Sequence, residues 1–208
     1  TLSGVLSGSG SFIKTGSAVL TLTGTQTHSG TTQISAGTLS VASDANLGSG
    51  AITLENNCVL SITGVTNIDN NITLVAEGVI QTSAAATLSG VISGSGDLRK
   101  SGASSLTLSA TQAYTGTTTV SSGTLAIASD ANLGAGVVFL DGGTLLVTGV
   151  TTIDKDLHIN STSTLETSAA VTWTGTVSGG AVSLNKSGSE TLILTNSANR
   201  ASFEGNIN

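Results

Sequence analysis

The chain has 208 residues, 6 basic against 12 acidic side chains for a net charge of −6, one cysteine, no proline or methionine, and 2% aromatic residues. This excludes a core built on large rings, a disulfide framework, a Cys-based zinc site and the clustered Lys and Arg that a nucleic-acid partner needs. A positive mean hydropathy argues against disorder.

The first elements come as short alternating phrases, Leu20-Thr-Leu22, Leu39-Ser-Val41, Leu60-Ser-Ile62 and Ile80-Gln-Thr82. Anchored on Leu20, Leu39, Leu60, Ile80 and Leu106, their spacings are 19, 21, 20 and 26, and from Leu106 through Leu125, Leu145 and Leu165 to Leu192 they are 19, 20, 20 and 27. A second strand series lies between them, around Ile34, Ile52 and Ile72, and then in TTTVS, VVFL and LHIN. Two or three short strands per roughly 20 residues, with Gly, Ser and Thr between them, predict an all-β solenoid. Each coil can bury its apolar face only by stacking on the next.

A longer period overlies the coils. TLSGVLSGSG at Thr1 returns as TLSGVISGSG at Thr87, and SDANLG at Ser43 returns at Ser129, both 86 residues on. The expected organisation is one continuous solenoid of four rungs per unit, with copies at 1–86 and 87–171 and a partial third at 172–208. The absence of proline fits strands bonded on both sides. Gly37, Gly123 and Gly143 precede leucine anchors where the backbone must turn, and Cys58, aligned with Gly143, reads as a turn substitution packed as a small apolar residue.

In SDANLG, Ser43 is placed to cap a single helical turn, Asp44 to complement its positive end, and Gly48 to stop it. The corner recurs, so its acids recur. Asp44 and Asp130 lack a recurring partner that would tune them as general acids. Asp154-Lys155-Asp156 is Asp69-Asn70-Asn71 one copy earlier and reads as a solvated turn, as does Arg99-Lys100. His28 is matched by Tyr114 and His158 by Thr73, so no Ser-His-Asp set repeats, and no G-x-S-x-G elbow occurs. The calcium-like phrase at Asp97 has Ser11 in the other copy. Trp173 replaces Leu88 and is expected in the core. A Thr-x-Thr ice-binding array is not sustained, because Thr21-Leu-Thr23 meets Ser40, Ser61 and Gln81 on later coils. No catalytic, cofactor or metal residue is expected.

Three phrases in order, Lys100-Ser-Gly102 to Leu106-Thr-Leu108, Tyr114-Thr-Gly116-Thr-Thr118, and Gly123 to Gly134, resemble the passenger-associated transport repeat, also called the autotransporter-associated β-strand repeat. The first copy matches from Lys14 to Gly48 with His28 for the tyrosine, and the third keeps Lys186 to Leu194 and departs at Asn196. The resemblance implies a right-handed parallel β-helix in the passenger of a type V autotransporter of Gram-negative bacteria. It implies a segment that aids its own folding and secretion and stands at the cell surface as the stalk of an adhesin, a virulence factor. The implied partners are a C-terminal outer-membrane β-barrel of the same polypeptide, host or bacterial surface ligands, and other copies of the passenger. The competing expectation is a carbohydrate-active or carbohydrate-binding β-helix. The chain starts with Thr and stops inside a phrase, which reads as a piece of a longer protein.

Overall fold

The computed structural model describes residues 1–196 and the backbone of the strand Asn206–Ile207, so the end of the third copy lies outside the described residues. The strands pair in parallel and stack as a β-solenoid whose longest sheet has nine strands. Three faces follow one another along the chain. The first runs through Phe12–Lys14, Thr32–Ile34, Ile52–Leu54, Ile72–Leu74, Ile92–Gly94 and Ala113–Tyr114, and resumes with Thr151–Ile153, Val171–Trp173 and Leu192–Leu194. The second is the unbroken sheet from Val19–Leu22 to Val177–Gly179. The third begins with Ser7–Gly8 and Thr27–His28 and resumes from Thr66–Ile68 onward.

Strand alternation sends every second side chain inward, and parallel register puts like on like. Leu39, Leu60 and Ile80 form one inner column, and Leu106, Leu125, Leu145 and Leu165 another, all fully buried. Each such side chain contributes about 1.5–3 kcal/mol by leaving water, and only when the neighbouring coil is in place. Trp173 is buried as expected, its Nε1 donating to the Lys155 carbonyl at 2.8 Å. Cys58 is buried too, but as the first residue of the strand Cys58–Ile62. The turn falls one residue earlier, on Asn57 and its counterpart Gly142, which both have positive φ.

Register revises the reading of the long period. The rung above Ile80 holds Lys100, and Leu106 instead pairs with Ala86 on the third face. The 26-residue spacing is therefore a normal rung plus a step to the next face. Lys14 stacks under Ile34, Leu54, Leu74 and Gly94, four rungs up, and the equivalent Lys100 comes six residues after Gly94. Lys100 in turn stacks under Val120, Leu140, Ile159 and Gly179, with Lys186 seven residues beyond. One unit is four full turns and one face more. The three lysines accordingly stand on the first, second and third faces.

Candidate functional site

The repeated phrases converge inside the coil, where they assemble buried polar clamps. The first clamp is the lysine. Because Arg99 and Lys100 are neighbours in a strand, they point to opposite sides, so the pair is not the solvated turn expected of it. Arg99 faces out, with Nε at 2.6 Å from Glu77 and Nη1 donating to Ser121 at 2.9 Å. Lys100 faces in and is fully buried. Its Nζ donates to the carbonyls of Ser101, Gly102 and Ser122 at 2.7, 3.0 and 3.1 Å.

Lys14 repeats this on Thr15, Gly16 and Ala36, and Lys186 on Ser187 and Gly188. The glycine two residues on has φ of 73°, 80° and 79° in the three copies. That left-handed turn is cheap only for glycine. For Lys14 and Lys100 the third carbonyl belongs to the next rung, so these two lysines staple their own turn to its successor. Burial pushes the Lys100 ammonium down to about 8. Charge-assisted bonds at about 1.5–3 kcal/mol each offset a desolvation cost of several kcal/mol. What remains is selection of register, since any slip strands a buried cation.

The glutamine of the TQ link is the second clamp. Gln26 accepts from the Leu6 amide at 2.6 Å and donates to Gly4 and Gly24. Gln112 likewise accepts from Ile92 at 2.6 Å and donates to Ala110. Next come His28 and Tyr114, both buried, each bonded to the threonine four residues on: His28 Nε2 to Thr32 at 2.9 Å, Tyr114 Oη to Thr118 at 2.6 Å. The two rings are interchangeable parts of one structural pair.

The corner closes the set. Ser43 caps as expected, its Oγ accepting from Ala45 at 3.3 Å, whereas Ser129 Oγ instead donates to Asn132. The turn is 3-10, Asp44–Asn46 and Asp130–Asn132. Its keystone is the asparagine, which sequence reasoning passed over for the aspartate. Asn46 accepts from the amides of Ala42 and Ser43 and donates to Gly24 on the rung below, and Asn132 does the same with Ala128, Ser129 and Ala110. Gly48 has φ 72°, while the equivalent Gly134 does not have positive φ. There a Cβ would lie 2.3 Å from the Tyr114 ring, so room for the ring demands the glycine.

The carboxylates are ties between rungs. Asp44 accepts from the Asp69 amide at 3.2 Å, and desolvation followed by the nearby Asp69 charge outweighs that bond to raise its pKa. Asp130 accepts from the Asp154 amide at 3.2 Å and also pairs with Lys155 Nζ at 2.7 Å, which reaches Asp154 at 2.7 Å as well. The Asp154-Lys155-Asp156 turn is thus tied rather than merely solvated, with the Lys155 side chain 16% exposed. Asp156, Asp97 and Asn71 each accept from the amide of the residue 20 positions on. Asn70 donates to the carbonyls of Gly48 and Gly50.

His158 meets Ser178 at 2.8 Å, but no carboxylate bonds the other ring nitrogen among the described residues. Among the described residues no three His, Cys, Asp or Glu side chains gather to hold a metal ion. Chemically, the assembled polar groups can fix register and join rungs.

Residues 12–41, 98–127 and 184–202 match the family described as passenger-associated-transport-repeat. The chain carries the passenger-associated transport repeat. The two complete matches span the lysine clamp, the glutamine, the His or Tyr pair and the next two strands, and stop just before the corner. Over 127 residues, 59% of its length, the chain is 38% identical to the adhesin BmaC autotransporter of Brucella suis biovar 1 (strain 1330), and it spans 4% of that protein. No solved structure matches the chain. The three matches and the similarity to an autotransporter support reading the chain as a segment of an autotransporter passenger, a class exported to the cell surface.

Proposed function

We propose that the segment promotes the folding and secretion of its own passenger and serves, without catalysis, as the stalk of an adhesin, delivered by an outer-membrane β-barrel in the same polypeptide. The observation that carries this reading is that the clamps of Lys14 and Lys100 are each completed by a carbonyl 22 residues further along the chain. A chain emerging extended from a pore can fold rung by rung on such local contacts. A turn that carries such a clamp is locked to its neighbour once per unit. Similarity to an adhesin autotransporter supports the adhesive role.

The test is made on the complete reading frame that contains this chain. Lys100→Met and Asn132→Ala variants should lower the amount of passenger at the cell surface several-fold while barrel insertion stays constant. Equal display of variant and parent, or a reading frame without a barrel, would sink the export role.

One column favours a second reading as a carbohydrate-binding module. Arg99, Thr119, Phe139 and His158 stack in register on the outside of the second face, with Phe139 and His158 edge to face at 5.6 Å between centroids. Binding of extended glycans that Phe139→Ala abolishes would support it. Absence of binding to any glycan would remove it.

A further inference from the structure

The 3-10 corner stands in the place of a strand, and where it stands a sheet is cut. In the first copy the cut falls on the third face, between Thr27–His28 and Thr66–Ile68. In the second it falls on the first face, between Ala113–Tyr114 and Thr151–Ile153. Below each corner a backbone bond survives, Gln26 N to the Ala45 carbonyl and Gln112 N to the Ala131 carbonyl, both 2.8 Å. Above it the links run through side chains. Asp44 N donates to Thr66 Oγ1 and Asp69 N to the Asp44 carboxylate, each at 3.2 Å. In the second copy Asp154 N donates to the Asp130 carboxylate and Lys155 adds its ion pair. Elsewhere in these two rungs the ladder is ordinary, for example Thr63 N to the Val41 carbonyl and Thr148 N to the Ile127 carbonyl, both 2.8 Å.

We infer that the corners are the yielding joints of the rod, and that the extra face in each unit turns successive joints around the axis. Two faces carry an unbroken ladder past each joint, so the rod stays whole while the third face opens. The joints lie roughly 20 Å apart along the axis, taking about 4.8 Å per rung. Three consecutive units would place one joint on each face, and a long stalk would yield in every direction. The second joint is the stiffer, because Lys155 pins it where the first has Asn70 turned to other partners.

Native-state hydrogen exchange on the full passenger that contains this chain tests this, because local opening is read amide by amide. The Asp69 amide should exchange at least about tenfold faster than that of Thr63, which is also exposed and lies in the same rung. Asp154 should exchange faster than Thr148 but several-fold slower than Asp69. Lys155→Gln, which removes the ion pair, should bring Asp154 up to the rate of Asp69 and leave Thr148 unchanged. Equal rates for Asp69 and Thr63, or a Lys155→Gln chain in which Asp154 keeps its rate, would overturn the inference.

Discussion

Both copies of the corner share SDANLG, yet they are held differently from above. At the first, Asp44 faces Asp69 and burial raises its pKa; at the second, Asp130 and Asp154 share the Lys155 ammonium. Below the corner the two are nearly identical, with the same asparagine and glutamine bonds. The inner side of the repeat is thus fixed by what the fold requires. Its outer side is free to vary.

The largest effects should come from the inner side. Lys100→Met removes a donor shared by three carbonyls, of which Gly102 keeps the Ser122 hydroxyl at 3.5 Å, and is expected to destabilise by about 3–5 kcal/mol, read as lost protection in denaturant-dependent hydrogen exchange. Lys186→Met should cost less, because Lys186 is half-buried and bonds two carbonyls among the described residues. The lowered Lys100 pKa also sets a sign. Between about 8 and its ordinary 10.5 the unfolded chain binds the extra proton, so the parent should gain stability on the Met variant as pH rises through that window. A difference that is flat with pH would contradict this.

Next, Asn46→Ala and Asn132→Ala should each cost about 2–3 kcal/mol by removing three hydrogen bonds of a buried side chain, and the two costs should agree within error. A clear inequality would mean that the upper side of the corner contributes to the lower. Tyr114→Phe removes one buried hydrogen bond and should cost about 1 kcal/mol.

The smallest effects distinguish the outer sides. Asp130→Asn loses the Lys155 pair and should destabilise by about 0.5–1 kcal/mol. Asp44→Asn should be neutral or stabilising at neutral pH. A carboxyl whose pKa is raised on folding favours the fold below its unfolded value of 3.8 and loses that contribution as pH rises through the folded value. The amide keeps the acceptor and escapes the loss. Thermal melts of the two variants at pH 7 and pH 3.5 would show whether the signs diverge.

Much of the fold was legible because stacking forces repetition: the anchors from Leu20 to Ile80 do lie in one register. The advance by one face was hidden because the alignment followed the motif onto Leu106, although its rung ended at Lys100. Spacing alone cannot say whether six residues lengthen a turn or round a corner. The buried lysine was missed because charge ordinarily marks a surface. One signal was available, since the residue before it changes from Ile13 to Arg99 to Asn185 while the lysine stays. The keystone asparagine gave less away, because an Asp beside it attracts the chemical reading and hydrogen bonds to Ala42 and Ser43 leave no periodic trace.

The extra face also bears on how such a protein changes length. Recombination between two copies would excise or add one unit of 86 residues, four turns and a face, and rejoin strand to strand in register. The core would be indifferent to the event, but everything carried beyond the junction would be swung about a third of the way around the rod. A lineage that gains or loses repeats therefore alters both the reach of its outermost module and its compass bearing, without a single substitution in that module.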